Sequence, residues 1–291
     1  MTDACTTLEQ SRQRIELTTS DGYIITAMQF QPDMECIGKI IVAGATGVPQ
    51  GFYRRFAEYA ASQGYRVLTL DYRGLGLSKP ENLKGFEMKY LDWATRDLTA
   101  AVDYFNQDEL PLYMVGHSFG GHAFGLLNNH SAIDKFCTFA TGAGWHGWMP
   151  KAEQFKVQLM WKVIGPVMTS WKGYLPWKML GMGEDLPLGV YKDWRRWCQY
   201  PNYFFEDPQM RGIDEPYKTV KTPIRTVNSV DDLWAPPQSR DAFMKAYSQA
   251  PVELLDLRPS DAGMPTIGHM GYFRPQAQAL WKQTLEWFSK A

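Results

Sequence analysis

The sequence predicts an α/β fold: a mostly parallel central sheet flanked by helices, with a helical unit inserted between two of its strands. Three observations carry this. Short continuous apolar runs, which suit strands buried on both faces, alternate with stretches of helical period. One such run ends in glycines clustered around a serine, "MVGHSFGGH" (114–122). From residue 143 to 215 the alternation stops and large aromatic residues accumulate, including seven of the eleven tryptophans.

Each element has its own signal. "RIELTTSDGYIITAMQF" reads as two strands joined by a turn at Asp21-Gly22. "KIIVAGA" (39–45), "RVLTLDY" (66–72), "PLYMVGHS" and "KFCTFATG" (135–142) read as buried strands, and "IRTVNS" (224–229) and "VELLDL" (252–257) as two more. Between them, residues from about 51 to 63 and "LDWATRDLTAAVDYF" carry a helical pattern. "FGGHAFGLLNNH" suits a helix opening just after the serine, and "AQALWKQTLEWFSK" closes the chain as another. Strands alternating with helices imply βαβ units with right-handed crossovers. The expected division is a core of 1–142 and 216–291 with a helical cap, or lid, at 143–215.

Composition narrows the function. The chain has 291 residues, 45% hydrophobic and 21% charged, with a formal net charge of −1, which argues against a nucleic-acid partner. No apolar run reaches the ~18 residues of a membrane span. The nearest, "VQLMWKVIGPVMTSW", is interrupted by Lys162 and Pro166. Cys5, Cys36, Cys137 and Cys198 lack metal-type spacing. "MTDACTTLEQ" has neither a basic n-region nor an apolar h-region. The expectation is a cytoplasmic protein with reduced thiols and no metal or cofactor. Its oligomeric state is left open.

Gly116-His117-Ser118-Phe119-Gly120 fits G-x-S-x-G, a strained strand-to-helix turn that lifts a serine hydroxyl above the sheet. Side chains at 116 and 120 would collide in so sharp a turn, and glycine removes the collision. Gly121 lets the helix pack closely. A serine needs a base to become a nucleophile at neutral pH. Of the five histidines, His117 lies in the turn and faces away from the serine, and His122 and His130 fall in the following helix. His269, in the glycine-flanked loop "MPTIGHMGYF", can reach a serine at another strand end. Asp231 and Asp232 follow a strand and offer a carboxylate to orient the histidine. The order Ser118, Asp232, His269 is the Ser…Asp…His order of one fold.

These residues make the chain resemble the α/β-hydrolase superfamily over nearly its whole length. "GHSFGG" resembles the nucleophile elbow, "DYRGLGLS" (71–78) the D-x-R-G-x-G-x-S segment after the fourth strand, "DDLWAPP" the acid loop and "GHMGYF" the histidine loop. The resemblance is nearest to serine-aminopeptidase-like and lysophospholipase-like members. It implies Asp232 rather than Asp231 as the acid, the backbone N–H of Phe119 as one oxyanion donor, and Ala45 or Thr46 as the other. Many members carry His-Gly before that second donor, where this chain has Ala43-Gly44. The implied activity is a serine hydrolase cleaving a carboxylic ester or thioester through an acyl-enzyme on Ser118. Its partner would be a small-molecule ester with an apolar acyl group, and Trp145, Trp148 and Trp234 are candidates for pocket wall. An amidase or aminopeptidase, with Glu184 or Asp185 holding a substrate amine, uses the same residues. So does an acyltransferase. A non-catalytic ligand-binding protein on this fold is the alternative from another class.

Overall fold

In the computed structural model, residues 12–290 are described; Cys5 and the rest of the N-terminal stretch lie outside them. Strands β1 (Arg12–Thr18) and β2 (Ile24–Phe30) form the hairpin expected around Asp21-Gly22, with Gly22 at a φ of 82°. β3 (Gly38–Ala43), β4 (Tyr65–Leu70), β5 (Leu112–His117), β6 (Lys135–Phe139), β7 (Ile224–Ser229) and β8 (Val252–Leu257) complete one sheet. Its order is β1-β2-β4-β3-β5-β6-β7-β8. β2 pairs antiparallel with β4, and every pairing from β4 to β8 is parallel.

The helices are α1 (Arg54–Ser62), α2 (Thr99–Phe105), α3 (Phe119–Ala123), α4 (Lys151–Leu159), α5 (Gly165–Lys172), α6 (Leu188–Trp197), α7 (Glu215–Thr219), α8 (Pro237–Met244) and α9 (Gln278–Ser289). The two-residue alternation of the strands sorts the core onto two faces. Ile40, Val42 and Val115 belong with Phe56 and Ala60 of α1 and Trp281 and Leu285 of α9. Ile41 and Met114 belong with Val102 of α2, Phe119 of α3 and Phe243 of α8. No helix among the described residues is long and apolar enough to cross a membrane.

Two local readings change. β8 is an edge strand, and its Glu253 and Leu254 are exposed where a buried strand was expected. An apolar run alone does not say whether a strand has one neighbour or two. The helix after Ser118 lasts five residues before tightening into a 3₁₀ turn, so His130 falls outside it. Between β6 and β7 the one strand-like pairing among the described residues is a single bridge, Leu175 to Leu186. Trp177, Val190, Tyr191 and Trp197 of this segment join one face of the sheet's core.

Candidate active site

β5 and α3 meet at Ser118, whose φ of 51° and ψ of −107° are strained for a residue with a side chain. The turn is held by the Ser118 N–H donating to the Phe139 carbonyl at 2.9 Å and by the Ser118 carbonyl accepting the Gly121 N–H at 2.9 Å. A Cβ on Gly116 would press on the backbone of Gly120 and Gly121, the collision expected of so sharp a turn, but Gly120 has a further reason. A Cβ on Gly120 would overlap the Ala43 carbonyl of β3, so the neighbouring strand requires glycine at position 120. A Cβ on Gly121 would run into the hydroxyls of Thr138 and Thr141.

The loop after β8 brings His269 to this turn, with its Nε2 3.1 Å from Ser118 Oγ. Its Nδ1 lies 2.9 Å from Asp232 Oδ2. Asp232 is buried, and its Oδ1 accepts the N–H groups of Trp234 and Ala235 at 2.8 and 2.9 Å. Burial alone would raise this carboxyl, but the adjacent His269 and the two N–H donors outweigh it and hold it below the usual aspartate range. An ionised Asp232 only accepts, so Nδ1 carries the proton and Nε2 is free to take one from Ser118.

The two candidate oxyanion donors in the β3 loop separate here. The Ala45 N–H donates to Tyr53 Oη at 2.7 Å and is already used. This removes Ala45 from the donors that the resemblance implied. The N–H groups of Thr46 and Phe119 donate to no protein group among the described residues.

Ser118 and His269 open into a cavity of about 670 Å³, mostly apolar. Trp234 is on its wall. Trp145 and Trp148 are not. Trp148 turns its Nε1 to the Pro201 carbonyl, and the Trp145 ring packs edge-on against it and over Gly147. The aromatic rings that the segment 143–215 does give to the cavity are Trp161, Trp177, Trp194 and Tyr203. Among the described residues no three His, Cys, Asp or Glu side chains converge as metal ligands.

The alpha/beta hydrolase family profile matches residues 40–279. The chain belongs to the alpha/beta hydrolase family. Among solved structures, it is similar to a soluble variant of monoglyceride lipase from Saccharomyces cerevisiae in complex with a substrate analogue. That match has a TM-score of 0.68 and 16% identity, over 95% of this chain and 96% of that one. It is also similar to an esterase of Pyrococcus furiosus, with a TM-score of 0.60 and 14% identity, over 95% and 91% of the two chains. An acylaminoacyl peptidase of Pyrococcus horikoshii matches 99% of this chain with 43% of its own, at a TM-score of 0.60 and 14% identity. At these identities the likeness is one of fold. No curated protein matches the chain by sequence.

Several residues around the site have partners that the sequence did not reveal. Buried His117 faces away from Ser118, as expected, but it is not idle. One ring nitrogen, Nδ1, is 2.9 Å from Tyr53 Oη and the other, Nε2, is 2.8 Å from the His269 carbonyl. Because the carbonyl only accepts, Nε2 carries the proton and Tyr53 donates to Nδ1. Burial pushes His117 down to about 3, so the ring is neutral. A chain of hydrogen bonds thus runs from Ala45 through Tyr53 and His117 to the backbone of His269. The "DYRGLGLS" segment is also scaffolding. Asp71 accepts from the Gln50 N–H at 2.8 Å and the Leu77 N–H at 2.9 Å, while Arg73 is locked between Asp97 and Asp21.

Tyr53→Phe tests that chain. It leaves the Ala45 N–H and His117 Nδ1 unpaired in a buried place, where each orphan costs about 1–3 kcal/mol. The expected result is a destabilised protein by chemical denaturation, with a smaller loss of kcat. Unchanged stability would show that the chain of bonds is incidental.

Proposed function

We propose that the protein is a serine hydrolase that cleaves carboxylic esters with apolar acyl groups. The observation that carries this reading is the hydrogen-bonded series Ser118–His269–Asp232, open to an apolar cavity and flanked by two unused N–H donors. Ser118 Oγ attacks the ester carbonyl and its proton passes to His269 Nε2. The N–H groups of Phe119 and Thr46 hold the negative oxygen of the tetrahedral intermediate. Its collapse releases the alcohol, which takes the proton from His269. A water then gives a proton to the same Nε2 and attacks the acyl group, and the proton returns to Ser118 as the acid leaves. Asp232 holds His269 in the required tautomer and balances the imidazolium. The segment 143–215 serves as the cap and supplies much of the pocket wall.

Amide cleavage by an aminopeptidase-like route has less support. Glu184 pairs with Lys178 at 2.9 Å, and Asp185 accepts the Lys178 N–H at 3.0 Å. Neither is on the cavity wall. The carboxylate that is there, Glu153, is paired with Lys156 at 2.6 Å.

A panel of p-nitrophenyl esters of graded chain length, beside aminoacyl amides, tests the reading. Each methylene buried in the transition state is worth about 0.8 kcal/mol, roughly fourfold in kcat/KM. The expected result is kcat/KM rising from acetyl to hexanoyl, with the amides far slower. A flat or falling series would point to a small or polar substrate and overturn the acyl preference.

A further inference from the structure

Residues 151–172 form one unbroken helical rod: α4, five residues of wider π geometry (Met160–Ile164), then α5. At 1.5 Å per residue it is about 33 Å long. Its inner side gives Val157, Met160, Trp161 and Ile164 to the cavity wall. Its outer side is apolar as well. Phe155, Leu159, Val163, Val167 and Trp171 recur at every fourth residue and are 69%, 39%, 52%, 65% and 64% exposed. A helix on the surface of a water-soluble domain normally turns polar residues outward, and a contiguous apolar patch marks a contact site.

Exposed apolar residues are concentrated in this region. Of fifteen exposed large apolar residues among those described, eight fall between Phe155 and Met182. Two of the eight, Leu180 and Met182, are also on the cavity wall, so the cavity reaches the surface beside the same segment. The charge of the segment is equally uneven. Between 151 and 182 there are five lysines and one acidic residue, Glu153; Lys156 pairs with Glu153 and Lys178 with Glu184, and Lys151, Lys162 and Lys172 have no carboxylate partner among the described residues. Lys172 stands over the exposed Trp171 ring, 4.1 Å from its centroid.

We propose that the outer face of this rod docks on an anionic lipid surface. Exposed aromatic and aliphatic residues with lysines among them match the interface of a bilayer, where apolar side chains enter the acyl boundary and ammonium groups meet lipid phosphates. A second copy of the chain fits less well, because it would set lysine-rich segments against each other. The rod then lies in the plane of the surface, with the cavity behind it. If the esterase reading holds, the docked face places the cavity beside a lipid-borne ester.

The test is flotation of the full-length chain with vesicles of phosphatidylcholine alone, or of phosphatidylcholine in equal parts with phosphatidylglycerol. Binding is read without turnover, so it succeeds or fails separately from the esterase reading. We expect binding to the anionic vesicles at least about tenfold above the neutral ones. It should fall as salt rises from about 0.1 M to about 1 M, which shortens the screening length to about 3 Å. The double variant Phe155→Gln with Trp171→Gln should lose at least about tenfold in binding. Neither residue lines the cavity, so the variant should keep its melting temperature and its turnover of a soluble short ester. Absence of flotation, or binding indifferent to lipid charge, overturns the proposal. So does a folded variant that binds like the parent. A dimer in light scattering that the variant splits, with no vesicle binding, assigns the face to a second copy instead.

Discussion

Ser118→Ala is expected to lower kcat by about 10⁴–10⁶ while leaving the protein folded, because loss of a nucleophile removes the covalent route and not the scaffold. The turn at 118 is built from backbone contacts: the N–H to Phe139 and the carbonyl to Gly121. Alanine keeps all of them. It also keeps the Cβ, so the strained φ of 51° costs the same in both proteins. The side-chain interaction lost is the hydrogen bond between Oγ and His269. The melting temperature should therefore stay within a few degrees of the parent. A fluorophosphonate should add once, at Ser118, and not to the variant. Label on another residue, or a variant that retains most of its turnover, would remove Ser118 from the mechanism.

The site was legible where the chemistry demands a residue type at a fixed place along the chain. The elbow needs glycine because Gly120 lies against β3 and Gly121 against two threonines, and such close approaches leave a sequence signature. The histidine and aspartate follow strands, and the parallel order of β5 to β8 carries those strand ends to one side of the sheet. What the sequence hid depends on rotation and on distant partners. The rod at 151–172 is apolar on both sides, so its composition gives no sign of which side meets the cavity. Trp145 and Trp148 were expected on the pocket wall for the same reason, since an aromatic-rich segment does not reveal which ring turns inward. The choice between Ala45 and Thr46 rested on Tyr53, whose hydroxyl reaches back to one N–H and leaves the other free. β8 reads as buried because its residues are apolar enough for a central strand, although it ends the sheet.

The aspartate doublet gives the sharpest test of how His269 is held. Asp232→Asn is expected to lower kcat by roughly 10⁴. Oδ1 of Asp232 accepts two backbone N–H groups, from Trp234 and Ala235. An asparagine must keep its carbonyl oxygen there, because turning the NH₂ toward those donors would set donor against donor. The NH₂ then faces His269 Nδ1, which becomes an acceptor and gives up its proton to Nε2. A protonated Nε2 can no longer take the proton of Ser118. Asp231 has another task. Its Oδ1 accepts the Gly268 N–H at 2.9 Å and its Oδ2 the Ile267 N–H at 3.0 Å, so it clamps the loop that carries His269. Asp231→Asn loses one acceptor of that clamp. It should cost about 1.5–3 kcal/mol of stability, because the lost bond is to a charged group. Its effect on kcat acts through placement of the ring, and a shift of about 1 Å accounts for at most roughly a hundredfold. Steady-state kinetics on a soluble ester, beside thermal unfolding, separates the two. Asp232→Asn should lose far more kcat, and Asp231→Asn should show the loop's loss of stability. A larger kcat loss at Asp231 would move the orienting carboxylate one residue upstream.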